Sequence, residues 1–280
     1  MEVITKINEM QTRVFSIKDR KETIGLVPTM GALHEGHLSL IRNARDENEK
    51  LIISIFVNPT QFDNKEDFKT YPQQLDEDIE IAKGENVDIV FAPSAGELYP
   101  DGYGTHVLQT KLTESLCGKK RPGHFKGVAT IVTKLFNIIK PDRAYFGQKD
   151  YQQSVVVKKL VKDLNMEIEV KVLPIVRDKD GLALSSRNKH LNSQERYNAL
   201  CIYNSLLHAK SLYSSNIKDV KKIIEEMTSI IKSTKHTKID YVSIVNPDTL
   251  ENISRVNGKA VAAVAAYVGD TRLIDNIILE

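Results

Sequence analysis

Two histidines three positions apart, His34 and His37, stand in the stretch Pro28-Thr29-Met30-Gly31-Ala32-Leu33-His34-Glu35-Gly36-His37. Imidazole nitrogens at this spacing can donate to phosphate oxygens and stabilise charge that develops on a leaving group. The same residues equally suit a structural role, with one ring capping a helix and the other on its surface, and the tetrapeptide alone does not separate the two. A zinc site has poor support, because an i, i+3 pair brings no third ligand.

Further groups along the chain carry compatible chemistry. Lys149, in Gly147-Gln148-Lys149-Asp150, is a compact point charge for phosphate, and Asp150 can cap the helix that follows. Ser185, Ser186 and Arg187 combine two hydroxyls with a guanidinium able to grip phosphate bidentately, although serine-rich segments also make ordinary turns. Asn58 and Gln61, in Asn58-Pro59-Thr60-Gln61-Phe62, can read a small polar molecule or face solvent from a proline turn. Arg121 and His124 precede another helix, where they face a ligand or form a surface turn. Asp76, Glu77 and Asp78 complement the dipole of a helix start, the functional alternative being contact with a nucleotide-bound Mg²⁺.

These groups need elements to position them. Residues 23–27 form a short apolar run with the character of a buried strand, and Leu38, Leu40 and Ile41 begin a helical pattern toward Asn48. Strand, glycine-containing loop and helix is an anion-binding arrangement, in which Gly31 and Gly36 let a ligand approach the unpaired N–H groups of the first helical turn. Residues 1–20 read as one amphipathic helix, with Ile4, Ile7, Met10 and Val14 at helical spacing. The continuous apolar run 51–57 predicts a strand buried on both faces, so Asn58 falls at its carboxyl end, where open parallel sheets bind ligands.

Residues 63–70 read as a polar, mobile segment, followed by a helix from Tyr71 to about Lys83. Strands at 87–91, 143–146 and 167–173 alternate with helices at 128–139 and 151–164, and Gln153 emerges within the first turn of the latter. After two more helices, 193–212 and 219–231, three strand-like runs at 239–245, 259–268 and 272–279 follow without intervening helices, which predicts a small antiparallel sheet. The fold class is therefore α/β with a smaller α+β part, divided near 177–184 into domains 1–177 and 178–280.

Composition narrows the function classes. With 39 Lys and Arg against 37 Asp and Glu, the net charge of +2 is too balanced for a nucleic-acid footprint, so phosphate binding must be local. Two cysteines, Cys117 and Cys201, suit a reducing compartment. The charged N-terminal stretch does not read as a secretory signal, and no run approaches the length of a membrane span.

Taken in order, Pro28–Gly31, His34–His37, Asn58–Phe62, Arg121–Phe125, Gly147–Gln153, Leu184–Asn188 and Arg272–Asn276 closely resemble the pantothenate synthetase family, across essentially the whole chain. The His-x-Gly-His element alone marks a broader group of nucleotidyl-transferring folds. The resemblance implies ATP-dependent condensation of (R)-pantoate with β-alanine through a pantoyl-adenylate, releasing AMP and pyrophosphate. It also implies a cytoplasmic homodimer with a Rossmann-like N-terminal domain and a smaller C-terminal lid, working with ATP-bound Mg²⁺ and without nucleic-acid or membrane partners. Carried over by position, the resemblance assigns ATP binding to Met30, Gly31, Ala32, Leu33, His34, Glu35, Gly36 and His37. It assigns the same role to Gly147, Gln148, Lys149, Asp150, Val176, Leu184, Ser185, Ser186 and Arg187. Catalysis falls to His34, His37, Lys149 and Arg187, pantoate to Gln61 and Gln153, and β-alanine to Gln61, with Asn58 and His124 as neighbours. Departures from common family residues occur within the stretch Asp63–Phe68, at Asp63, Asn64 and Lys65, and at Gln73, Gln148 and Leu184.

Overall fold

A computed structural model describes residues 1–280, the side chain of Lys65 excepted. In chain order the first half runs β1 (Glu2–Ile4), α1 (Ile7–Asp19), β2 (Ile24–Thr29), α2 (Glu35–Glu47), β3 (Lys50–Ile55), α3 (Lys65–Thr70), α4 (Leu75–Gly84), β4 (Ile89–Phe91) and α5 (Ala95–Leu98). There follow α6 (Leu116–Lys120), α7 (His124–Ile139), β5 (Arg143–Gly147), α8 (Tyr151–Asp163), β6 (Glu169–Leu173), α9 (Ser193–Ser214), α10 (Val220–Lys232), β7 (Thr237–Val245), β8 (Ala260–Val268) and β9 (Thr271–Leu279). Short 3-10 turns occupy Pro59–Gln61, Gln148–Asp150 and Ser186–His190. The α/β alternation and the antiparallel C-terminal sheet are as the sequence predicts.

Four segments differ, two of them only at a helix start: α4 begins at Leu75 rather than Tyr71, and α7 at His124 rather than Val128. Residues 1–20 are not one helix: Glu2–Ile4 pairs in parallel with Ile89–Phe91, and α1 begins only at Ile7. Ile4, at helical spacing from Ile7, is buried as a strand residue instead. Residues 63–70 are not featureless either, since Asn64 accepts from the Glu66 N–H and starts α3.

The chain forms two compact units. One comprises Met1–Thr110, Arg121–Gly147 and Gln153–Pro174; the other comprises Lys111–Lys120, Gln148–Gln152 and Ile175–Glu280. In the first, six strands form a sheet in the order β1-β4-β3-β2-β5-β6, parallel at every pair. α2 and α4 cover one face, packing Leu40, Ile41, Ala44 and Ala82 on Val27, Leu51, Ile53, Ile55 and Val90. The chain leaves β2 toward β3 and β4 on one side and returns to β5 and β6 on the other, so the topological switch lies between β2 and β5.

Those two strands pair only at Gly25–Arg143 and Leu26–Ala144, whereas β2 stays paired with β3 as far as Thr29–Ile55. Pro28 sits in this half-paired stretch. The Thr23 and Thr29 carbonyls accept from β3-side N–H groups and the Ile24 carbonyl accepts from Asp142, so alternation turns Pro28 toward β5. A residue without an N–H is tolerated there because the ladder has already ended. The sheet thus splays at the carboxyl end of β2, where switch-point sheets take ligands.

In the second unit α9 and α10 pack on the antiparallel sheet β7-β8-β9. The alternate residues Ala260, Ala262, Val264, Ala266 and Val268 meet Ala199, Ile202, Leu206, Ile223, Met227 and Ile231. α9 starts with a reciprocal cap between Asn192 and Glu195.

Candidate active site

The loop after β2 is built around a carboxylate for which the sequence suggests another role. Thr29 Oγ1 donates to the Ser54 carbonyl at 2.8 Å and accepts from the Gly31 N–H at 3.1 Å. Gly31 and Ala32 then take positive φ, 79° and 50°. This turns the Ala32 and Leu33 N–H groups onto Asp78 of α4, at 2.9 and 2.8 Å. Asp78 is fully buried. A pair of inward-facing N–H groups is an anion nest, and its anion here is the chain's own side chain. A Cβ at Gly31 would lie 2.8 Å from Asp78 Oδ2 and 3.2 Å from Ile55 Cγ2, so glycine is required for space as well as for φ. Asp78 does lie in the first turn of α4, but it is buried there with its carboxylate committed to the Ala32 and Leu33 N–H groups. It fixes the histidine loop.

His34 and His37 follow directly. His34 is the N-cap of α2, its Nδ1 accepting from the Gly36 N–H at 3.2 Å, and the His34 N–H donates back to His37 Nδ1 at 3.3 Å. The ring centroids lie 4.1 Å apart. Because both Nδ1 atoms accept, a neutral ring at either position carries its proton on Nε2. Capping and ligand donation, which the tetrapeptide left as alternatives, use different nitrogens. Most main-chain N–H groups of this loop already have partners within the chain. Those of Gly31, Ala32, Leu33, His34 and Gly36 are engaged within the chain, as is that of His37, which donates to the His34 carbonyl at 2.7 Å.

Beyond β3, Asn58 is only 1% exposed, which removes the reading of a solvent-facing amide. Its Oδ1 accepts from Thr60 Oγ1 and Tyr99 Oη, both at 2.9 Å, and its Nδ2 donates to Gln61 Oε1 at 3.0 Å and to the Gly127 carbonyl at 3.2 Å. Burial pushes the Tyr99 hydroxyl up, keeping it a donor. Asn58 is thus the hub that aims Gln61, whose Nε2 points to Met30 Sδ at 3.0 Å. His124 Nδ1 meets the Gln61 carbonyl at 2.7 Å, and Arg121 pairs with Asp63 at 2.8 Å. A Cβ at Gly127 would lie 2.4 Å from the Thr60 carbonyl, so α7 can approach this turn only through glycine. Met30, Asn58, Gln61 and His124 therefore form one connected group. Gly147 ends β5 and Gln153 is the third residue of α8, both half-buried.

In the second unit the Gln148–Asp150 turn and the segment from Val176 to Arg187 carry the remaining candidates. Lys149 is mostly buried, its Nζ 4.0 Å from Asp150. The Leu184 N–H donates to the Val176 carbonyl at 3.0 Å, and Arg177 bridges to Ala183, forming a narrow turn. Ser185 caps the Ser186–His190 turn by accepting from the Arg187 N–H at 3.3 Å, and Ser186 is buried. Among the described residues, no group of three or more His, Cys, Asp or Glu side chains is arranged to hold a metal ion, and no helix is long and apolar enough to cross a membrane.

A parallel sheet splayed at its switch point, with a histidine-capped helix at the carboxyl edge, defines a Rossmann-like α/β protein. The family model for pantoate-beta-alanine ligase matches residues 2–278, and the chain belongs to that family, an enzyme family of ligases. It is 53% identical to a pantothenate synthetase of Thermotoga petrophila over 279 residues and 52% identical to that of Acetivibrio thermocellus over 280, with 100% of each chain covered. Among solved structures, pantothenate synthetase from Thermus thermophilus matches with a TM-score of 0.94 at 40% identity, over 99% of both chains. A pantoate-beta-alanine ligase from Francisella tularensis, solved with beta-gamma ATP and beta-alanine, matches with a TM-score of 0.82 at 38% identity, over 99% of this chain and 97% of that one.

Proposed function

We propose that this chain condenses (R)-pantoate with β-alanine at the expense of ATP, through a pantoyl-adenylate. A pantoate carboxylate oxygen attacks the α-phosphorus, the bond to the β-phosphate oxygen breaks, and pyrophosphate leaves. The β-alanine nitrogen then attacks the acyl carbon, the bond to the phosphate oxygen breaks, and AMP leaves while the amine proton passes to solvent. The first step joins two anions, so cation and N–H donors matter more than a base. His37, with His34 beside it, donates from Nε2 to the phosphates; Lys149 and Arg187 supply positive charge, and Mg²⁺ enters bound to ATP.

In the same reading Met30 to His37, Gly147 to Asp150, Val176 and Leu184 to Arg187 bind the nucleotide. Gln61 and Gln153 hold pantoate, and Gln61 borders β-alanine. Residues 1–177 act as the ATP- and pantoate-binding domain and 178–280 as a lid, in a cytoplasmic homodimer. The observation that carries this reading is the reciprocal Nδ1 pairing of His34 and His37, which leaves both ring protons on Nε2 while a buried carboxylate holds the loop rigid. Isotope exchange between pyrophosphate and ATP tests it. Exchange is expected with pantoate alone and no β-alanine; exchange that needs both substrates would overturn the adenylate.

A further inference from the structure

Near the end of the chain, two consecutive residues of β9 are buried although both are polar: Asp275 is 5% exposed and Asn276 3%. Apart from one contact between the two, their side chains reach residues outside the sheet. Asn276 Nδ2 donates to the carbonyls of both Gln148 and Lys149, each at 3.0 Å, and Asn276 Oδ1 accepts from Gln148 Nε2 at 3.2 Å. Two carbonyls on one amide atom identify that atom as nitrogen. The Asp275 carboxylate takes both terminal nitrogens of Arg177, at 2.6 and 2.9 Å, and the Asn276 N–H at 2.7 Å. Arg177 Nη1 also donates to the Gly181 carbonyl at 3.1 Å, and its guanidinium carbon lies 3.9 Å from the centre of the Tyr203 ring.

One dipeptide therefore grips two segments far apart in sequence. Asn276 holds the main chain of the three-residue turn from which the Lys149 side chain springs. Asp275, through Arg177, holds the turn that delivers Leu184 to Arg187. A 3-10 turn this short has little cohesion of its own, so its geometry comes from what pins its carbonyls. We infer that Asp275 and Asn276 are positioning residues that set Lys149 and the Ser185-Ser186-Arg187 segment in register for phosphate contact. The inference rests on the reading of Lys149 as a phosphate-binding residue.

The test is a double-mutant cycle on the full-length enzyme with Asn276→Ala, Lys149→Ala and the pair, reading kcat/KM for ATP and the melting temperature. Asn276→Ala is expected to lower kcat/KM for ATP about tenfold in the wild-type background, on the scale of losing hydrogen bonds that orient a charged group, and less than about twofold when Lys149 is already alanine. Equal losses in both backgrounds, with Lys149→Ala itself impaired, would overturn the inference alone, because a merely structural residue acts independently of Lys149. A Lys149→Ala enzyme with unchanged kcat/KM would overturn the underlying reading and the inference with it. If Asn276→Ala does not fold, Asn276→Asp takes its place in the cycle: it keeps shape and loses the Nδ2 donor, and the same pattern of losses decides.

Discussion

The loop at residues 31–37 and the turn at 148–150 are held by opposite chemistry. In the first, the buried carboxylate of Asp78 accepts from two successive main-chain N–H groups, those of Ala32 and Leu33. In the second, the buried carboxamide of Asn276 donates to two successive carbonyls, those of Gln148 and Lys149. A carboxylate only accepts, and an amide NH₂ only donates, so each anchor matches the polarity its segment turns inward. The consequence for function differs as well. In the proposed function, where the first loop gives the Ala32 and Leu33 N–H groups to Asp78 and those of His34 and Gly36 to the capping pair, contact with the phosphates is assigned to the histidine rings. At the second, the main chain is fixed through its carbonyls, and the proposed function assigns the charge to Lys149.

Asp78 is the harsher place to break this contrast. Asp78→Ala leaves two buried N–H groups without that acceptor, at residues in left-handed and adjoining conformations, and is expected to cost roughly 2–5 kcal/mol in urea unfolding together with most of the activity. Asp78→Asn still presents an acceptor to one of the two N–H groups and is expected to fall between the alanine variant and wild type. Wild-type stability in Asp78→Ala would remove the anchor role.

A finer test uses titration, since Asp275 can take up a proton and Asn276 cannot. Burial pushes the Asp275 carboxyl above its ordinary value, with Arg177 and the Asn276 N–H pulling the other way. With the folded value raised, the associated stability is present below the unfolded value and is lost as pH rises through the folded one. Asp275→Asn has no such dependence. The melting-temperature advantage of wild type over this variant is therefore expected to shrink as pH rises through the acidic range, and a growing advantage would show that the Arg177 pairing outweighs burial.

Much of the architecture is readable from local pattern. The unbroken apolar run at 51–57 suits a strand buried on both faces, and three strand-like runs without helices between them at the C-terminus have one another as natural partners. Glu2–Ile4 is not readable, because three residues carry no period and Ile4 fits the helical spacing of its successors. In the site, the residue types at 34, 37, 61 and 149 announce their chemistry, but their anchors do not. Asp78 looks like any acid at a helix start, and the loop it holds is 45 and 46 residues away in sequence. Asn58 looks like a turn residue until Tyr99 and Gly127 close over it. The signal that could have found Asp78 is the pairing of a left-handed Gly31–Ala32 with a requirement for an inward acceptor, which is a long-range property.

The central claim is that His34 and His37 use Nδ1 to hold the loop and Nε2–H to meet phosphate. Nitrogen-15 NMR of histidine-labelled protein, assigned with His34→Ala and His37→Ala, tests it directly. The Nε2–H tautomer is expected for both rings when neutral, with a shift of their Nε2 resonances when MgATP is added. An Nδ1–H tautomer at either position, or Nε2 resonances unmoved by saturating nucleotide, would contradict it.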